Sequence, residues 1–571
     1  MRKSIVLFLV CIQTMMLSVM ASSAAALTWT PEVKIDLFAA GSMAGSSPRI
    51  AVDPSGNIMA VWVQSDGTFQ NIYANRYVVG SGWGIATLLE ASEMPADSPQ
   101  IVADSNGNFI AVWRQAWKLV NGDRYGIYAN RYVAGTGWGT ATTVYVDTTR
   151  GDVTANGDPK IAVDLNGNAV VVWSVYDWSW NHTSVRANRY VAGTGWSGVT
   201  NLSTESVQSA YSPNVALDSN GNAIAVWSQD TDANNPVKGI RADRYTVGTG
   251  WGTPAPIEPT TIAVTRTGSA PQIAFDANGN AIAVWYQYGK PGIYANRYVA
   301  GAGWGAAETI VDPSISNYID QGVQLAIDKN GNAIAVWNQE GGWLYANRYV
   351  AGTGWGITET IDPGYPDYSE QIAFDQNGNA IAIWGYAACN SSNIQAILYV
   401  VGVGWSSAPR CYETTNYVNK SLDLTREPQI VIDKNGNATA VWVRGYGSYG
   451  TIYASTSIIP PPLVANAGSN QVTFDKVTLN GSASLSNIIS WNWRLTHRSN
   501  PAYSRTATGQ NPTIDNLVPG FYDVLLSVYD GTATSTATSL LAVAGAWDVN
   551  NDGKVGLAEV IYILQKMVGM R

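Results

Sequence analysis

One pattern returns eight times along the chain with small changes: Pro-x-Ile-Ala-x-Asp-x-Asn-Gly-Asn-Ala-x-Ala-Val-Trp. Its turn aspartate stands at Asp53, Asp104, Asp164, Asp218, Asp276, Asp328, Asp375 and Asp433, so the copies are 47 to 60 residues apart. A tryptophan follows each aspartate nine positions later, at Trp62, Trp113, Trp173, Trp227, Trp285, Trp337, Trp384 and Trp442. Repeats of this length restrict the chain to a solenoid, a propeller or an array, because one unit cannot bury its apolar face alone.

The copy from Pro271 to Ile310 shows the internal plan. A short apolar strand, Gln272–Phe275, meets a tight Asp-x-Asn-Gly-Asn turn; a second strand runs from Ala281 to Gln287. A third runs from Ile293 to Val299, and a Gly-x-Gly turn leads to a fourth that begins at Trp304. Asn and Asp bond their own backbone and tolerate left-handed conformation, and Gly adopts positive φ freely, so such turns reverse a short strand. The runs are too short for helices and rich in Val, Ile, Tyr and Trp. Four strands in about 50 residues describe one blade of a β-propeller.

The count of fourth strands is uneven. Their tryptophans are Trp83, Trp138, Trp196, Trp251, Trp304, Trp355 and Trp405, one short of eight. The eighth copy ends after its third strand, while Leu27 to Asp36 at the other end of the chain reads like Trp304 to Asp312. A ring removes its exposed edges only when its ends meet. The sequence therefore predicts eight blades, closed by residues 28–37 pairing with the third strand near 451–456; the alternative is an open stack. Most of the 23 tryptophans occupy the repeated positions, which makes them blade-to-blade packing before ligand contacts.

The first 26 residues join a basic Met1-Arg2-Lys3, an apolar run from Ile5 to Met20 and small residues up to Ala26, the plan of a secretory signal peptide. Cys11 follows Val10 rather than a small residue, which argues against a lipid anchor. No later apolar run is long enough to span a membrane. Only 13% of residues are charged, the net charge is −9, and no basic run occurs, which argues against nucleic acid as a partner. A secreted protein carrying Cys389 and Cys411 at one end of the seventh copy is expected to join them in a disulfide, with two unpaired thiols as the alternative.

The copies also map the two faces of the ring. Loops after the first and third strands emerge on one face and are nearly constant. Those after the second and fourth strands emerge on the other face and differ in every copy, and binding residues concentrate on variable loops carried by a rigid scaffold. These loops and strand ends offer Trp117, Tyr125, Tyr176, Trp178, Trp180, Tyr288, Trp343, Tyr446 and Tyr449. Aromatic rings beside Asn, Asp and Gly suit sugars and protein partners alike, or simply cover the mouth of the ring. The Asp-x-Asn-Gly-Asn turns are more simply hairpins than calcium sites. The repeated arginine (Arg76, Arg131, Arg189, Arg244, Arg297 and Arg348) is expected near a carboxylate, and Leu398 replaces it in the seventh copy. The Asp-x-x-Gly-Asn turn with its apolar flanks resembles the hairpin of NHL-type and Asp-box propeller repeats, which implies the fold and no activity.

After the stiff segment Ile458-Ile-Pro-Pro-Pro-Leu463 the character changes. Val477–Ala483, the Trp491-Asn-Trp493 strand and the alternating run Gly520–Asp530 read as a small β-sandwich over residues 460–545. These stretches resemble the PKD domain, an immunoglobulin-like module whose usual role is spacer or adhesive. Residues 546–571 then match an EF-hand loop followed by a helix. Asp548, Asn550 and Asp552 supply hard oxygens at loop positions 1, 3 and 5, Lys554 offers its carbonyl, Gly553 makes the turn and Glu559 binds bidentately. Calcium is the implied ion. Loop and helix resemble one half of a type I dockerin, which implies a cohesin-like partner, although dockerins carry two such halves.

These readings favour a secreted, non-catalytic binding or adhesion protein recognising glycan or surface protein through the variable loops of residues 27–459. The alternatives are a polysaccharide-degrading hydrolase or lyase and a structural surface component. His182 and His497 are the only histidines, which leaves no Ser-His-Asp or metal-histidine cluster. A carboxylate pair drawn from Asp123, Asp177, Asp230, Asp232 and Glu340 stays open, with nothing that selects two.

Overall fold

The computed structural model describes residues 27–543 less the segments 38–44, 91–93, 118–123, 148–152, 204–208, 231–237, 259–267, 288–291, 312–321, 340–341, 365–368, 387–392, 407–424, 446–449, 459–464, 474–475, 483, 485–487 and 530–533. The signal-peptide segment, Cys389, Cys411 and the whole EF-hand-like tail therefore lie outside the described residues. The chain divides into two compact units, one spanning 26–459 and the other beginning at 460.

The first unit contains eight antiparallel sheets, with strands in sequential order in all but the eighth, whose outer strand comes from the N-terminus. In the fifth blade the strands are Gly268–Phe275, Ala281–Gln287 and Gly292–Val299, followed by an outer strand in two pieces, Gly303–Trp304 and Glu308–Thr309. Inner strands neighbour one another all the way round, and Gly45–Val52 of the first blade lies beside Thr425–Ile432 of the eighth. This is a closed eight-bladed β-propeller. Its seam is the displaced N-terminal strand: Val33 pairs with Ala454 and Lys34 with Tyr453, and Trp29 bridges to Ser457. The chemistry of a fourth strand comes with it. Asp36 accepts the Ile452 amide at 2.8 Å, as Glu90 accepts the Ile72 amide at 2.8 Å in the first blade.

Two details depart from the sequence reading. The outer strand is broken in most blades rather than continuous. The inner strand is longer than its apolar core, extending back through a bulge to Gly45, Ala96, Ala210, Gly268 and Thr425 in five blades. At each bulge a residue before proline, Ser47, Ser98, Ser212, Ala270 or Glu427, takes φ between 46° and 55°. Proline has no N–H for the ladder, so the strand detours around it, and the preceding residue takes up the left-handed turn.

Constancy of the two repeated turns has a hydrogen-bonding cause. In the fifth blade Asp276 Oδ1 accepts the backbone amides of Asn278 and Asn280 at 2.8 and 2.9 Å, and Oδ2 accepts Asn280 Nδ2 at 2.8 Å. Asn280 Oδ1 in turn accepts the Ala300 amide, which joins this turn to the one between the third and fourth strands. The same bonds recur from blade to blade, for example from Asp104 through Asn108 to Ala134. The carboxylate is occupied inside its own turn, which accounts for the motif without a metal.

Between blades the second-strand tryptophans are fully buried in all eight copies. Trp285 packs on Ile224 and Val226 of the preceding blade, and Trp62 packs on Val441 and Ile452 across the seam. The repeated arginine lies over a tyrosine of the next blade: Arg76 over Tyr132 at 5.2 Å and Arg244 over Tyr298 at 5.7 Å. Arg131 also approaches the turn carboxylate Asp104 at 3.5 Å. Desolvated cation–π contacts of this kind are each worth about 1–2 kcal/mol.

The second unit holds a five-stranded sheet ordered Gln471–Thr473, Thr534–Val543, Gly520–Tyr529, Ser490–His497 and Arg505–Thr508, with a short facing pair Val477–Thr478 and Thr513–Ile514. Trp493, Leu495, Tyr522, Val524 and Leu526 form its core. Trp493 Nε1 donates to the Gly509 carbonyl and the Tyr522 hydroxyl to the Val518 carbonyl, both at 2.9 Å. The latter is the bond of the corner tyrosine in immunoglobulin-like sandwiches. His497 is buried between Tyr503 and Tyr522, a packing role. Among the described residues no helix is long and apolar enough to cross a membrane.

Candidate functional site

The variable face is built from the ends of the second strands, the starts of the third strands and the starts of the inner strands. Its most prominent feature is the hairpin tip of the third blade, between Ala169–Asp177 and His182–Val191. Trp178 is 60% and Trp180 71% exposed there. The tip is nevertheless held in place. Asp177 Oδ1 accepts the Ser179 and Trp180 amides, and Asn181 takes φ 52° to close the turn. Tyr176 meets Trp178 edge-on at 4.8 Å, and its hydroxyl donates to Asn181 Oδ1 at 2.6 Å.

The ridge continues onto the second blade. The Tyr125 amide donates to Thr154 Oγ1 at 2.9 Å, and Thr154 pairs directly with Tyr176. Arg114 lies over the Tyr125 ring at 4.6 Å and grips Asp97 with two bonds of 2.7 and 2.8 Å. Tyr125, Thr154, Tyr176 and Trp178 thus form one surface, with Trp117 half-buried at the end of the second blade's second strand. Trp343 stands apart on the sixth blade, 44% exposed and tilted against Tyr345. Tyr288, Tyr446 and Tyr449 lie outside the described residues, as do Asp123, Asp232 and Glu340. Of the acids the sequence put forward, the structure describes Asp177, which serves the hairpin, and Asp230, at the end of the fourth blade's second strand.

Sequence reasoning missed the central channel that the ring of inner strands surrounds. One residue, four positions before each turn aspartate, occupies the same register on every inner strand: it pairs with the residue preceding the buried tryptophan. The eight are Arg49, Gln100, Lys160, Asn214, Gln272, Gln324, Gln371 and Gln429. Six are amides, and the cations fall in the first and third blades. Aligning the copies on the aspartate would have exposed this ring. Burial pushes the Arg49 guanidinium below its ordinary range, and burial together with the charge of Arg49 does the same to Lys160. Most acids near them face other donors: Asp158 accepts the Ser98 hydroxyl at 2.6 Å, and Glu427 accepts the Ser47 amide at 2.6 Å. Deeper between the first two blades, burial raises the Glu90 carboxyl to about 7.

No protein-family model matches the sequence, and no curated protein matches it. Among solved structures the chain is similar to a polysaccharide lyase at 13% identity, over 75% of this chain and 92% of that one, with a TM-score of 0.40. It is similar to an α-L-arabinanase from Penicillium chrysogenum at 12% identity, over 63% and 94%, with a TM-score of 0.37. A fucose-specific lectin from Aleuria aurantia is 14% identical over 58% and 99%, with a TM-score of 0.32. Likeness at this level assigns no residue and no chemistry.

Proposed function

We propose that the protein binds glycan, without cleaving it, on the ridge formed by the second and third blades. The observation that carries this reading is the pair Trp178 and Trp180: two indoles left in water on a tip whose backbone is fixed. Large aromatics exposed on a rigid support are pre-organised for stacking on the apolar face of a pyranose, so little ordering entropy opposes binding. The Tyr176 hydroxyl, Asn181 and Thr154 stand beside them as partners for sugar hydroxyls. In this reading the first 26 residues direct secretion, and Asp548, Asn550, Asp552, Lys554 and Glu559 hold a calcium ion that orders the tail for attachment.

A glycan array probed with the full chain, with analysis of released products, tests the ridge. Saturable retention without product, lost in the W178A/W180A double variant, is the expected result. Released oligosaccharide overturns the non-catalytic reading. For the tail, calorimetry should show one calcium site that Asp548→Ala abolishes.

A further inference from the structure

The ring of channel residues satisfies itself at one place only, and its two cations lie elsewhere. In the fourth and fifth blades the amides answer one another, with Asn214 Nδ2 donating to Gln272 Oε1 at 2.8 Å. In the first three blades no channel residue donates to another. Gln100 Nε2 is buried and has no partner. Among the described residues Arg49 donates only to the Pro48 carbonyl, and Lys160 makes no hydrogen bond and no ion pair. Arg49 and Lys160 each feel the charge of Asp158, yet neither reaches an acid within 4 Å, because Asp158 is turned to Ser98 and Glu427 to Ser47 and Arg426.

Three adjacent blades therefore present an unpaired guanidinium, amide and ammonium at one level of a closed channel. Nothing in the fold requires the two cations, since amides at the same position serve the other six blades. A water molecule would satisfy the amide but leave two mutually repelling, half-buried cations, a costly arrangement. An oxyanion resolves both at once: it accepts from all three donors and neutralises charge in a site where water screens poorly.

We propose that the channel of the first three blades binds an oxyanion, a carboxylate or sulfate, held between Arg49 and Lys160 with the Gln100 amide as third donor. This site stands on its own and does not require the aromatic ridge to bind sugar. Two sources offer the same chemistry: a free small anion, or the acid group of a charged sugar whose neighbouring units extend toward the mouth.

Titration calorimetry on the full chain with sulfate, acetate and glucuronate, each at matched ionic strength, tests it. The expected result is one saturable site, weakened at least tenfold in Arg49→Gln and again in Lys160→Gln. Both substitutions restore the amide of the other blades, so both variants should fold, and thermal melts check that they do. Glucuronate binding at least tenfold tighter than acetate identifies a sugar-borne acid; equal binding of sulfate and glucuronate identifies a free ion. Absence of saturable heat with all three probes, or undiminished binding in a folded R49Q/K160Q double variant, overturns the proposal.

Discussion

The two faces of the propeller use the same residue types to opposite ends. On the constant face the Asp276 carboxylate accepts three hydrogen bonds within its own turn, and Asn280 passes the network on to the next turn. On the variable face and in the channel behind it, Trp178 and Trp180 lie in water and Gln100 Nε2 finds no acceptor. Backbone and register are shared; what differs between the turns and these positions is whether the side chains are satisfied. Where they are, the repeat is under structural constraint and stays uniform. At the tip and at the cationic channel positions the blade departs from the repeat, and the proposed external partners would supply a physical reason for the departure.

That contrast can be broken by pairs of substitutions. Trp285→Ala removes a fully buried ring from the wall between the fourth and fifth blades and should cost about 3–5 kcal/mol in chemical denaturation. Trp180→Ala, on the tip, should change stability by less than about 0.5 kcal/mol. Comparable losses at the two positions would mean that the tip is scaffold.

Glu90 sharpens the comparison from within the scaffold. Its folded value of about 7 lies above the ordinary 4.5 because it is buried, so between those values the folded chain binds more protons than the unfolded one. Stability should therefore fall as pH rises from about 4.5 through 7, by up to about 3 kcal/mol. Glu90→Gln should flatten that part of a pH series of melts; an unchanged slope would show that another group is responsible.

The smallest effect concerns the seam. Thr456 stands at the register of Arg76, paired with Thr439 as Arg76 is with Met59. With Thr456 there, Tyr77 and Asp433 line a cavity of about 430 Å³ in place of the arginine contact seen between other blades. Thr456→Arg should fill it and raise stability by about 0.5–1 kcal/mol. A loss of stability would mean that the seam packs differently from the other interfaces.

Much of this architecture was legible in the chain because a repeat is its own alignment. Eight aspartates set the blade count, the displaced Trp29 segment announced the closure, and loop variability separated the faces. The bulges at Ser47, Ser98, Ser212, Ala270 and Glu427 were hidden, since a residue before proline reads as extended, and only the ladder shows the detour. The join between Tyr125 and Tyr176 was also hidden, because it passes through Thr154 on a neighbouring blade. The channel ring was legible yet unread. Its residues sit on an inner edge whose side chains gain a common destination only once the ring is closed.

The most direct test is the affinity of the best array glycan for the W178A/W180A variant set beside Trp343→Ala, which removes an exposed ring from the same face on a distant blade. At least a tenfold loss is expected in the double variant and none in Trp343→Ala. Equal binding by wild type and the double variant, or loss in Trp343→Ala alone, would contradict the placement of the site on the second and third blades.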